Sequence, residues 1–193
     1  DGARTTRLLR LEWPNLLALL RDAQQTAAPE ALARLAGQLE QLLVGLGIPA
    51  ALAEVVAARE RAGQALLAWS RARFETERLR IERLRDAGSL EDALQSARQL
   101  QRRAQVAGVD AYPGAAYDLA RIGFELGKLL KLVGAAEPAV RELEAARSQF
   151  QTLAEAGNTS AGRMAAVAGA EIGDCLSYLR RLQEAASAYE VAL

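Results

Sequence analysis

Little in this chain of 193 residues is equipped for acid–base or nucleophilic work near neutral pH. Histidine is absent, and cysteine occurs once, as Cys175. A Ser–His–Asp or Cys–His arrangement therefore has no base, and a zinc site of Cys/His type has no ligand set. A single thiol also rules out a disulfide within one chain. Cys175 has no histidine or flanking lysine to lower its pKa, so it reads as a small buried thiol. Carboxylates come nearest to clustering at Glu142 with Glu144, and at Asp86 with Glu91 and Asp92. Glu142 and Glu144 are two apart and do not share a helix face, which argues against a metal or an acid/base pair. Caps and solvated faces account for both groups. No Gly-x-x-x-x-Gly-Lys-Ser/Thr loop is present to cradle phosphates. The expectation is a protein that is not an enzyme and needs no cofactor.

Cations are distributed more tellingly. Basic and acidic residues balance at 24 each, almost all the basic ones are arginine, and the two lysines are Lys128 and Lys131. Arg71, Arg73, Arg78, Arg80, Arg83 and Arg85 alternate with Glu75, Glu77 and Glu82 in one segment. At i,i+3 and i,i+4 each such pair is worth about 0.2–0.5 kcal/mol, the usual lacing of a solvated helix. With Arg98, Arg102 and Arg103 this region is net basic, whereas later regions lean acidic. Nucleic acid would need a basic stripe with aromatics to stack on, and only Trp69 and Phe74 lie nearby.

The elements that position these groups are helices. Hydrophobic residues make up 51% of the chain and aromatics only 5%, so Ala and Leu carry the apolar mass. Ala, Leu, Arg, Glu and Gln all favour helix, and no run alternates as a strand would. Apolar stretches such as Leu16–Leu20 are far short of the ~18–20 residues of a membrane span, and Arg4, Arg7 and Arg10 break any signal-peptide layout. A cytoplasmic location is expected. The chain starts at Asp1 and stops at Leu193 within a helical pattern, which reads as a fragment of a longer protein. Prolines and glycines punctuate it. Pro14 is expected to open a helix to about Gln25, Pro29 a second ending near Gly45 and Gly47, and Pro49 a third to about Ala65. Helices follow at Trp69–Ala87, from the N-cap Ser89 to Ala107, at Pro113–Val133, Ala136–Ala156, Ser160–Arg180 and Leu182–Leu193.

A period runs through the last two thirds. Gly88 and Gly134 are 46 residues apart, and the next step lands on Arg180. The same step relates Leu84, Leu130 and Leu176; Ala93, Ala139 and Ala185; and Leu94, Val140 and Ala186. It also relates Ala97, Leu143 and Tyr189, and Leu100, Ala146 and Ala192. A fixed period of this length implies stacked helix hairpins, each burying its apolar face on the next. Gly127 and Gly173 bring no side chain to the helix contact, so a neighbour can approach closely, with a large residue filling what remains. Upstream the register slips, with Gly47 and Gly88 only 41 apart. Residues 1–67 are therefore expected to form a degenerate repeat or cap, and residues 68–193 the repeats, with the last one truncated. Leu182, Ala186 and Tyr189 should then be exposed.

Gly-x-x-Leu, a turn, then Ala-x-x-x-aromatic-x-x-Ala resembles the tetratricopeptide repeat (TPR). GDCLSYLRRLQEAASAYEVAL, from Gly173 to Leu193, is similar throughout. GKLLKLVGAAEPAVRELEAA, from Gly127, departs at Leu143, where an aromatic is usual, and at Pro138; the copy from Ile81 has Ile in place of the first small residue. The common repeat has 34 residues, so this one looks like a long-helix bacterial type. RLEWPNLLALL, from Arg10, resembles the helix that joins STAND-class signalling ATPases to TPR arms.

The resemblance implies an all-α, right-handed superhelical solenoid of antiparallel hairpins, about nine helices in all. It implies a concave groove lined by Arg78, Glu82 and Arg85, then Arg121, Phe124, Lys128 and Lys131, then Asp174, Ser177 and Tyr178. The middle set groups three cations around one aromatic, so an acidic peptide segment is the expected partner. A non-catalytic protein–protein scaffold, the partner-sensing arm of a bacterial signalling protein, follows from the resemblance. The alternative is nucleic acid on the Arg-rich repeat. No membrane partner is expected, and the carboxyl-terminal hairpin could mediate self-association.

Overall fold

The computed structural model describes residues 2–44, 46–66 and 68–190, with residues 2–10 as backbone alone. Nine α-helices and no strand occur among the described residues. They are α1 (Gly2–Thr26), α2 (Pro29–Val44), α3 (Pro49–Ala65), α4 (Arg71–Asp86), α5 (Leu90–Ala107), α6 (Ala115–Leu132), α7 (Ala136–Glu155), α8 (Thr159–Tyr178) and α9 (Leu182–Glu190). The fold is all-α, as the composition requires. Two compact units divide it after Leu79, a point inside α4. No helix of the described residues is long and apolar enough to cross a membrane.

Proline punctuation holds with two exceptions. Pro29 and Pro49 open α2 and α3, and Pro138 sits in the first turn of α7, where no intrahelical N–H is needed. Pro14 instead lies inside α1, which starts twelve residues earlier than its position predicts. One missing N–H interrupts a long helix without ending it. Pro113 precedes α6, and Gly114 takes the N-cap in a left-handed conformation. Ser89 stands at the N-cap of α5, yet its side chain makes no capping hydrogen bond. Asn158 does cap: its Oδ1 accepts from the Ala161 N–H at 3.1 Å at the start of α8, and Ser70 Oγ accepts more weakly from the Arg73 N–H at 3.4 Å at the start of α4.

The first unit packs α1, α2, α3 and the start of α4. Leu32, Ala36, Leu39 and Leu43 form one stripe of α2, and Ala51, Val55, Ala58 and Ala62 repeat its spacing on α3; all are buried. Through this interface runs an ion pair. Arg59 on α3 donates from Nε to Glu40 on α2 at 2.6 Å and from Nη1 to the Thr76 carbonyl on α4, so one guanidinium ties three helices. Near Gly63 the approach is close enough that an added Cβ would fall 2.4 Å from Thr76 Cγ2. At the surface, Arg21 on α1 forms a two-pronged pair with Glu54 on α3 at 2.7 and 2.9 Å.

The second unit is built from the end of α4 and α5–α9, and it carries the period into three dimensions. Successive helices from α5 to α9 pack on one another, and α6 also touches α8. Ala93, Ala139 and Ala185 are buried in all three copies, and so are Leu130 and Leu176. A Cβ on Gly127 would lie 2.6 Å from Leu143 Cγ, and one on Gly173 would lie 2.5 Å from Tyr189 Cε1. The two contacts are one period apart in the chain. In the first copy the order of sizes inverts, with Ile81 and Ala97 at the same places, both buried. Ala192 lies outside the described residues. Leu182, Ala186 and Tyr189 are exposed, as the pattern predicts.

The turns repeat as faithfully. Ser89, Ala135 and Arg181 each donate a backbone N–H to the carbonyl five residues back, at 2.9 Å in all three. Gly88, Gly134 and Arg180 each donate to the carbonyl three residues back, which completes the Schellman cap. That cap requires a left-handed residue, and the three have φ of +78°, +80° and +62°. Arg180 is the one non-glycine residue with positive φ among the described residues. Its Cβ makes this conformation costly by about 1–2 kcal/mol.

Two predictions follow from this geometry. Arg180→Gly, on an exposed turn, should raise stability by about 1 kcal/mol, and Gly134→Ala should lower it by about as much, both read from denaturant midpoints. Gly127→Ala should cost roughly 1–3 kcal/mol because Leu143 is fully buried and cannot yield. Gly173→Ala should cost less, since Tyr189 is 37% exposed and free to swing outward.

Candidate interaction surface

The residues that the resemblance assigns to a concave groove come from α4, α6 and α8. Arg78 belongs to the first unit, is buried, and donates from Nε to Glu75 at 2.8 Å. The others lie in the second unit. There the structure brings together Glu82 with Arg85, Phe124 with Lys128, and Lys131 with Asp174 and Tyr178.

Charge on this face is organised into pairs that span neighbouring repeats. Arg85, at the end of α4, reaches Glu125 on α6 at 3.6 Å, while also meeting Glu82 at 3.8 Å and Asp86 at 2.8 Å. One period later, Lys131 on α6 reaches Glu171 on α8, and Asp174 Oδ2 at 3.2 Å. Arg85 and Lys131 occupy equivalent positions, as do Glu125 and Glu171. The same cation-to-carboxylate step thus fastens α4 to α6 and α6 to α8. At the next equivalent place stands Ser177, with no charge to offer a carboxylate. Tyr189, from α9, donates to Asp174 Oδ1 at 2.8 Å. On the opposite side of the hairpins, Gln101 of α5 donates to Glu142 of α7 at 3.1 Å.

These pairs set the ionisation of the face. Burial alone would push the Asp174 carboxyl up, but the Tyr189 hydroxyl and the Lys131 ammonium outweigh it and hold the group below its ordinary range. For Lys131, burial opposes the charge, and Glu171 with Asp174 more than restores it, so its pKa is raised. Cys175 lies beneath, buried, and burial pushes its thiol up despite the nearby ammonium. A protonated thiol at neutral pH is not a nucleophile.

Lys131 is therefore a clamp between α6 and α8, and its positive charge is answered within the chain. Lys128 sits differently. Its ammonium lies 5.4 Å from the centroid of the Phe124 ring, which is itself buried, so the cation caps the aromatic. Arg121 is half-buried one turn before Phe124. Tyr178 is 74% exposed and edges a cleft of about 400 Å³ together with Lys131, Leu132, Asp174 and Cys175. Leu132 and Val133 extend an exposed apolar margin beside it.

The Arg-rich segment is laced with carboxylates, as its spacing predicts, through Arg73 with Glu77, Arg78 with Glu75 and Arg85 with Glu82. Glu142 and Glu144 point to separate environments: Glu142 is half-buried under Gln101 and Glu144 is exposed. Sequence reasoning missed Glu125, Glu171 and Tyr189 as members of the face. The 46-residue step would have found the two glutamates had it been applied to charges as well as to apolar positions.

The depressed Asp174 carboxyl gives a pH dependence with a definite sign. Its ionised form is stabilised by the fold, so this contribution is present above the unfolded-state pKa and lost as pH falls through the folded-state one. Asp174→Asn should therefore lower thermal stability at pH 7, and the gap to the parent protein should narrow as pH falls below the ordinary Asp value of about 3.9.

No family model and no curated protein matches the chain. Among solved structures it is similar to one described as "DHF58 filament", at 17% identity, covering 97% of this chain and 92% of that one, with a TM-score of 0.41.

Proposed function

We propose that this chain is a non-catalytic, TPR-like interaction scaffold that holds a protein or peptide partner on the α6–α8 face of its second unit. The observation that carries this reading is Tyr178: an aromatic side chain 74% exposed, at the edge of a cleft whose walls are fastened by Lys131, Glu171 and Asp174. Exposed aromatics on preorganised surfaces supply most binding energy at protein interfaces, because little order is lost when they are covered. The partner lays an apolar side chain against Tyr178 and Leu132. An acidic group of the partner is directed to Lys128, whereas Lys131 is already occupied by two carboxylates.

Helical repeats suit such work because each hairpin is held by its neighbours and the outer positions stay free to vary. The resemblance in the repeats and in the Arg10–Leu20 segment further favours a role as the partner-sensing arm of a larger bacterial signalling protein, acting in the cytoplasm. Nucleic acid on the Arg-rich segment has less support, since Arg73, Arg78 and Arg85 each face a carboxylate of the chain.

Selection of displayed peptides against the intact chain tests the proposal. Enriched peptides should carry an aromatic or aliphatic anchor with an acidic residue, and Tyr178→Ala or Lys128→Glu should weaken them at least about tenfold, a loss of 1.4 kcal/mol. Peptides that bind both variants as well as the parent would refute it.

A further inference from the structure

The first unit contains a hollow that the scaffold reading does not use. It has a volume of about 350 Å³ and lies between α2 and α4 over the α3 side chain of Arg59. Small residues create it. Ala33 and Gly37 on α2 face Ala72 and Thr76 on α4, and a Cβ on Gly37 would make only ordinary contacts, 3.6 Å to Leu79 Cδ1 and 3.8 Å to Arg59 Cδ. The space is of ligand size, at the lower end of about 300–1,000 Å³ for small-molecule pockets.

Its lining is cationic. Arg34, Arg59 and Arg71 border it together with the carboxylate of Glu75, and Arg59 is paired at the base with buried Glu40. The Glu75 carboxylate is held by Arg78 at 2.8 Å, which adds a further guanidinium at its edge. Arg59 is 1% exposed, a permanent charge lying at the base of the hollow and oriented by Glu40 and the Thr76 carbonyl. Arg34 and Arg71 stand on opposite helices at the exposed rim, with the amides of Gln38 and Gln41 alongside Arg34. Between rim and base the surface is apolar, supplied by Ala33, Ala72 and Leu79. Guanidiniums on two sides of a narrow opening match a planar carboxylate or a phosphate through paired N–H groups.

We propose that this hollow binds a small organic anion, a carboxylate or phosphate head on a short apolar body. The head sits between Arg34 and Arg71, and the body enters over Gly37 toward Leu79. Ligand and helices then hold one another: an anion bridging α2 and α4 draws together the two walls that small residues leave apart. Every residue of this site lies in the first unit, so it stands or falls independently of the partner face in the second.

Calorimetric titration of the intact chain with benzoate and with phenyl phosphate tests this, with benzyl alcohol as the uncharged control. Both anions should bind saturably and benzyl alcohol should not. The paired variant Arg34→Gln/Arg71→Gln, which alters only exposed side chains, should weaken both anions at least about tenfold. Gly37→Leu, which fills the hollow, should do the same, and Lys128→Glu in the second unit should change nothing. Circular dichroism of each variant establishes that it is folded. Absence of saturable binding by either anion up to about 10 mM would overturn the proposal, as would equal binding of benzyl alcohol or full binding by the folded paired variant.

Discussion

The second unit depends on one contact made twice: a helix residue with no side chain against a large residue sixteen positions later. At Gly127 the Leu143 side chain occupies the place a Cβ would take, and at Gly173 Tyr189 does so. Helix axes can come this close only when one partner gives up its side chain, and the larger residue then has a single place to go. Register along the hairpin follows from that fit. Slipping by one turn would set Leu143 against Leu130 or Phe124, both already buried against other neighbours. The Ala positions at 93, 139 and 185, buried in each copy, extend the close approach along the helix pair.

Polar groups then use the register that packing sets. Arg85 with Glu125 and Lys131 with Glu171 are long side chains partly open to water, and pairs of that kind contribute about 0–1 kcal/mol each. They link the helices but add little to the energy that holds the hairpins together. Their effect is on direction: each fixes the orientation of one inner helix against the next, and so fixes the wall on which Tyr178 stands. The first unit employs the opposite economy, with the Arg59–Glu40 pair wholly inside. Loss of one partner there would strand a buried charge, at roughly 3–5 kcal/mol.

Apolar and glycine positions were legible from spacing alone because each is judged by size, and size repeats. Seven of the nine described helices, α2 to α8, have both ends within about two residues of where the sequence places them. Pro14 misled because a proline can sit inside a helix whose other hydrogen bonds survive, and nothing local distinguishes that case from a start. Ser89 misled because the turn governed by Gly88 holds its backbone at φ −78° and ψ 61°, outside the extended region from which an N-cap side chain reaches the next N–H groups. Partners across repeats were harder to see. Arg85 and Lys131 look like two isolated cations until Glu125 and Glu171 are placed at the matching step. The cationic hollow had no such signal, since Arg34, Arg59 and Arg71 lie on three helices with no common period.

Arg180 makes the last turn unlike its two predecessors. Its backbone is held at φ +62° with a Cβ present, and the helix that follows presents Leu182, Ala186 and Tyr189 outward. Packing of α9 on α8, with Tyr189 against Gly173, therefore offsets the strain that Arg180 carries. The same packing sets the Tyr189 hydroxyl on Asp174, one of the two groups that hold this carboxylate ionised. A strained turn and the charge on the α6–α8 face thus meet in one side chain, Tyr189.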